Sequence, residues 1–213
     1  MSDRFHFYEP EHGHGLKHNP LNAIVAPRPI GWISTRAASG FNLAPYSFFN
    51  LFSGEPPIIG FASSGEKDTL LNVRETGEFC WNLVTRELAT AMNATSAPVA
   101  RGADEFALSG LTPVAGRIVA APRVLESPVA FECRHTQTIR LLDRHGAETD
   151  TWLVLGEVVA VHIDRACLRD GVYDTTAALP VARGGGRGDY FEISPQTRFD
   201  MSRPRPASPP ASP

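Results

Sequence analysis

Two stretches carry side chains whose types and spacing could do chemistry. The first is Ser63-Ser64-Gly65-Glu66-Lys67-Asp68-Thr69, running into Leu70-Leu71-Asn72-Val73-Arg74-Glu75-Thr76 and stopped by Gly77. The pattern predicts a polar loop after a strand, then a helix with Asp68 or Thr69 as N-cap and Gly77 at its C-terminal end. A helix N-terminus presents N–H groups that lack intrahelical acceptors, together with the positive end of the dipole, which suits a phosphate. Ser63, Ser64 and Thr69 add hydroxyls, and Lys67 adds a full charge. A capped surface helix with a solvated lysine would read the same way, so the stretch alone leaves both open.

The second stretch is Pro27 to Phe52, PRPIGWISTRAASGFNLAPYSFFNLF. Ile30 to Thr35 has the aromatic and β-branched content of a strand, Ala38-Ser39-Gly40 supplies a turn, and Phe41 to Ala44 restarts the extended pattern. Pro45, having no N–H, is expected to end the ladder. Tyr46-Ser47-Phe48-Phe49-Asn50 then mixes rings with small hydroxyl and amide groups, a combination that fits a flat, partly polar ligand. A plain hairpin with a buried aromatic cluster has the same composition, and composition by itself favours that plainer reading.

The elements that must position these groups are mostly strands. Leu21–Ala26 reads as a short strand, Ile58–Ala62 as an apolar one, Phe79–Val84 and Val129–Leu142 as further strands, and Trp152–Ile163 as the longest of all. Gly156 inside that last run predicts a bulge or bend. Helical signals are confined to residues 68–76, the Ala-rich 87–95 and a short turn at Asp104-Glu105-Phe106; residues 114–124 are ambiguous. Many strands with few short helices, no internal repeat and no GxGxxG, GxSxG or HExxH motif point to a mainly β chain, a barrel core with helical decorations.

Composition bounds the rest. A chain of 213 residues is long enough for one domain with a real core. A net charge of −3 leaves no basic footprint for nucleic acid, and no run approaches the roughly 18 apolar residues of a membrane span. The polar start MSDRFHFYEP lacks a signal peptide's apolar run, so a cytoplasmic chain is expected. Cys80, Cys133 and Cys167 form no Cys-x-x-Cys pair and read as buried small hydrophobes. His6, His12, His14 and His18 lack a regular acidic or cysteine partner, which favours a polar arm over a metal site. We divide the chain into that arm, 1–19, a single domain, 20–200, and a proline-rich tail, 201–213, expected to be disordered.

Taken together, Arg28-Pro29-Ile30-Gly31-Trp32-Ile33-Ser34-Thr35, Gly40 to Phe49, Lys67-Asp68-Thr69-Leu70 with Asn72, Glu78-Phe79 with Asn82-Leu83, Glu126-Ser127-Pro128-Val129 with Glu132-Cys133, Gly156-Glu157-Val158 with His162, and Pro180 to Arg183 with Tyr190 resemble the flavin reductase-like, FMN-binding split-barrel family. The resemblance spans roughly residues 20 to 192. It implies a split β-barrel with Greek-key-like connections and FMN as cofactor. It places the isoalloxazine along Thr35, Asn42, Ala44, Pro45, Tyr46 and Ser47, and the phosphate near Ser63, Ser64, Lys67 and Thr69. Arg183 and Tyr190 would line the same site. The Gly184–Gly188 run has no counterpart in the pattern.

The family likeness implies an NAD(P)H-dependent flavin oxidoreductase that passes hydride from nicotinamide to flavin. Positioning is the protein's main contribution to that step, so no catalytic side chain and no metal ligand is nominated. A homodimer with the flavin near its interface is typical of the family, and a monooxygenase or another electron acceptor would take the electrons. The alternative is a non-enzymatic flavoredoxin-type electron carrier serving a partner protein or a metal chelate.

Overall fold

The computed structural model describes residues 4–204. In chain order its strands are β1 (Gly31–Ala37), β2 (Gly40–Tyr46), β3 (Phe49–Gly54), β4 (Pro57–Ser64), β5 (Glu78–Asn82), the two-residue β6 (Pro113–Val114) and β7 (Arg123–Val124), the long β8 (Val129–Leu142) and β9 (Glu148–Ile163), then β10 (Leu168–Arg169), β11 (Val172–Tyr173), β12 (Val181–Arg183) and β13 (Tyr190–Glu192). Four short helices accompany them: α1 (Leu21–Ile24), α2 (Asp68–Thr76), α3 (Ala89–Ala94) and α4 (Glu105–Ser109). The tail expected from residue 201 falls largely outside the described residues.

One antiparallel sheet carries the fold, in the order β2-β1-β5-β8-β9-β4-β3. Its two edge strands, β2 and β3, are consecutive in sequence, and only Ser47 and Phe48 lie between them. Laid flat, seven strands would hold those edges about 29 Å apart. The three Cα steps from Tyr46 to Phe49 reach only about 11 Å. The sheet must therefore roll until its edges meet, which brings β2 against β4, while Ala62 N on β4 donates to Phe48 O at 2.8 Å as a further rung of the β3–β4 ladder. The molecule is a split barrel, as its sequence led us to expect, and the split lies beside Tyr46-Ser47-Phe48.

Alternation along the strands sorts side chains to two sides. On β1, Ile33 enters the barrel interior with Tyr46, Ile59, Phe61, Phe79, Trp81 and Val154. Its neighbour Trp32 packs outward with Leu43, Val84, Met92, Phe106 and Val181, where α3 and α4 cover the sheet. Helix α2 adds Leu70 and Val73 to the interior cluster. Gly77, at φ 71°, ends α2 in the left-handed conformation that glycine tolerates.

Several local expectations are corrected. Leu21–Ile24 is a single helical turn after Pro20, not a strand, with the N–H groups of Ala23 and Ile24 donating to Pro20 O. Pro45 does not end its ladder, because β2 continues to Tyr46 with Pro45 opposite Trp32. β2 is an edge strand, where a missing N–H is tolerated. Asp68 and Thr69 are not the N-cap of α2: Lys67 occupies that position, and it has no capping side chain. The bulge expected at Gly156 is present, its extra residue being Thr136 on β8, skipped between the pairs His135–Gly156 and Gln137–Leu155. Gly156 is required for another reason: a Cβ there would sit 2.4 Å from the Phe79 ring. The ambiguous 114–124 region is a loop between β6 and β7, pinned by one carboxylate. Glu132, fully buried on β8, accepts from the backbone N–H groups of Arg117, Ile118 and Val119 and from His162 Nε2 at 2.6 Å.

Candidate functional site

At the seam of the barrel a cleft of about 580 Å³ opens between β2, the end of β4, the start of α2 and the facing segment 95–99. Asn42, Ala44, Pro45, Tyr46, Ser47, Ser64, Lys67 and Thr69 line it, so the two chemically suggestive stretches are brought together. The rolled sheet explains why, since the turn that closes the seam is also the end of β2, and α2 follows directly from its neighbour β4.

The first turn of α2 opens into the cleft. No side chain caps its first turn, leaving the leading N–H groups without an intramolecular acceptor. Lys67 stands at the N-cap and Ser64 precedes it, both exposed in the cleft. Asp68 also lines the cleft, and its carboxylate is engaged: Arg101 Nη1 donates to its Oδ1 at 3.2 Å and Gly102 N to its Oδ2 at 3.3 Å. The facing segment is tied to β1 through Thr95, which accepts from Trp32 Nε1 at 3.0 Å.

Tyr46 forms the inner wall. Its ring lies 4.6 Å from that of Phe61, centroid to centroid. Burial pushes its hydroxyl up to about 12, against the lowering effect of the Thr69 and Ser63 hydroxyls. Tyr46 Oη nevertheless has no hydrogen-bond partner of good geometry. A buried donor left open beside an uncapped helix is the kind of group a ligand completes.

The remaining candidates take other places. Thr35 is fully buried beneath the cleft, where it donates toward Asn42 Oδ1 at 3.4 Å and accepts from Asn72 Nδ2 at 3.0 Å. Ser63 points inward and donates to Gly65 O at 2.8 Å. Arg183 and Tyr190 are brought together, but on the β12–β13 hairpin outside the cleft lining. The Arg183 guanidinium lies over the Tyr190 ring at 4.9 Å and donates to the carbonyls of Gly185, Gly186, Arg187 and Asp189. The glycine-rich run is thus a loop wrapped around Arg183. Arg28 ties that loop to the seam, donating to Gly184 O at 3.0 Å and to Ser47 O at 3.2 Å, with its guanidinium over Phe48.

Two features of the cleft were not anticipated from sequence: the facing segment 95–99 and Glu105. Glu105, at the start of α4, is 6% exposed, and burial raises its pKa, partly offset by donors from Leu43 and Asn42. A second cavity, about 700 Å³, opens outward at Leu51 and Val161 and reaches in to Ile59, Trp81 and Val158 of the interior cluster. Phe49, Leu51, Ile59, Trp81, Phe131 and Val158–Val161 line it, with Asn50 as the one strongly polar side chain. It offers no charged group for an anion. Among the described residues no group of three or more His, Cys, Asp or Glu side chains could hold a metal ion. His6 Nε2 bonds the His14 carbonyl and His12 bonds Glu9. No helix among the described residues is long and apolar enough to cross a membrane.

The family model described as flavin reductase like domain matches residues 25–178. A protein of Deinococcus radiodurans is 38% identical over 196 residues, covering 86% of this chain and 82% of that one. Component B of nitrilotriacetate monooxygenase from Bacillus cereus superposes with a TM-score of 0.78 at 27% identity, covering 87% of this chain and 98% of that one. A split-barrel protein from Shewanella frigidimarina gives 0.78 at 25% identity, covering 92% and 99%. The chain belongs to the flavin reductase-like family.

Proposed function

We propose that the chain is an FMN-dependent flavin oxidoreductase that takes reducing equivalents from NADH or NADPH. The observation that carries this reading is the uncapped N-terminus of α2, with Lys67 and Ser64, opening into a cleft walled by Tyr46. One phosphate is what a single helix mouth and one lysine suit, which favours FMN over a dinucleotide. Tyr46, Pro45 and Ala44 offer flat and small surface for a ring system, and the open Tyr46 Oη and the amide of Asn42 offer polar groups to orient it. Bound there, FMN supplies the hydride-accepting chemistry. The chain's own residues bind it, orient it and exclude water, and none has to move a proton for hydride transfer.

The similarity to a monooxygenase component supports a monooxygenase, or a comparable acceptor, as the consumer of the electrons. Family membership and the apolar outer cavity support a homodimer, with Leu51 and Val161, each more than half exposed, covered by the second copy. Three free, buried cysteines accord with a cytoplasmic setting. The deciding experiment mixes protein, FMN and NADH or NADPH without oxygen. Flavin absorbance should bleach far faster than with FMN and nucleotide alone. Reduction by dithionite but by neither nucleotide would overturn the oxidoreductase reading in favour of an electron carrier.

A further inference from the structure

We propose that Glu105 is a positioning residue of the cleft: as an acceptor-only carboxylate it fixes the direction of a hydrogen-bond chain, Glu105–Asn42–Thr69, and thereby holds the wall that takes the ligand. The ligand part of this proposal rests on the flavin reading above. Both carboxylate oxygens are engaged. Oε1 accepts from Asn42 Nδ2 at 3.2 Å and Oε2 from the backbone N–H of Leu43 at 3.1 Å. A carboxylate has no hydrogen to give, so the Asn42 amide must turn its nitrogen toward Glu105. Its oxygen is then left for hydroxyls: Thr69 Oγ1 donates to Asn42 Oδ1 at 2.7 Å, and Thr35 Oγ1 at 3.4 Å.

The chain joins α4 through β2 and β1 to the first turn of α2, and Glu105, Asn42 and Thr69 all line the cleft. If Glu105 is neutral, one oxygen becomes a donor or, in glutamine, an NH2. The Leu43 N–H belongs to the backbone and cannot turn, so the conflict falls on Asn42. Its amide must reverse and present its nitrogen to Thr69 and Thr35, whose hydroxyl hydrogens then need new acceptors. The charge on Glu105 is in this way expressed at the anion-binding end of the cleft. Few other ionisable groups face it. Asp68 on α2 and Tyr46 on β2 interact with it, Asp104 precedes it as N-cap of α4, and α3, packed against α4, has no titratable side chain.

Riboflavin is the probe of choice, because it has no phosphate to titrate in the same range. Its affinity for the full chain should hold near neutral pH and weaken as pH falls through the raised pKa of Glu105. Glu105→Gln should bind riboflavin roughly tenfold more weakly at neutral pH, as for loss of one charged hydrogen bond, and should be flat through the acid range; Glu105→Asp should recover part of the slope. Unchanged affinity in Glu105→Gln, or a wild-type slope, overturns the proposal. In parallel, the side-chain amide of Asn42 in the ligand-free protein is followed by NMR. It should titrate with Glu105 in the wild type and not in Glu105→Gln. A silent Asn42 overturns the proposal even when no flavin binds; a titrating Asn42 without riboflavin binding overturns only the flavin reading.

Discussion

Replacing Lys67 by alanine separates the phosphate from the ring. Lys67 is exposed at the N-cap of α2, and among the described residues no acid forms a salt bridge with it. A charge-assisted hydrogen bond contributes about 1.5–3 kcal/mol when well made. Exposure and solvent screening put this one at the low end, about 1.5 kcal/mol, or roughly tenfold in dissociation constant. The leading N–H groups of α2 survive the substitution, so a residual preference for FMN over riboflavin should persist. Quenching of flavin fluorescence on titration gives both constants. FMN should weaken about tenfold in Lys67→Ala while riboflavin stays within about twofold, and the difference should shrink at high salt. Equal losses for the two flavins, or a salt-independent loss, would refute the assignment of α2 as the phosphate anchor.

Other perturbations test the frame around the cleft. Burial works against the charge of Glu132, but donors from Arg117, His162, Ile118 and Val119 outweigh it and bring its carboxyl to about 2. Its folded value lies below the ordinary value of 4.5, so its contribution is present above that value and is lost as pH falls from there toward 2. That contribution is about 3 kcal/mol, and acid unfolding of Glu132→Gln, followed by circular dichroism, should lack this limb. Gly156→Ala should lower stability by about 1–3 kcal/mol in urea melts through its collision with Phe79, and Phe79→Leu in the same chain should restore part of it. Val161→Lys should dissolve the proposed homodimer in analytical ultracentrifugation while leaving the far-ultraviolet circular dichroism unchanged, because Val161 is more than half exposed where it lines the outer cavity. A persistent dimer would mean that copies meet elsewhere.

The main strands were legible because their residues alternate or are apolar throughout. The long β9 and the α2 helix with its terminal Gly77 are examples. The cleft's two halves were legible for a different reason, since hydroxyls and a lysine before a helix carry a chemical meaning of their own. Glu105 was not, because a single acid after Asp104 reads as ordinary helix-start chemistry until the fold sets it against Asn42. The role of Pro45 was misread because whether a strand is an edge depends on the whole sheet. Arg183 illustrates the same limit: four backbone carbonyls from one loop surround it, and no local pattern announces them.

The central claim is that the seam cleft is the flavin site. Titrating the isotope-labelled chain with FMN while recording backbone amide shifts tests it most directly. Saturation at one FMN per chain is predicted, with the largest shifts at Tyr46, Ser47, Ser64, Lys67 and Thr69. No binding, or shifts centred on Leu51, Trp81 and Val161 at the outer cavity, would contradict it.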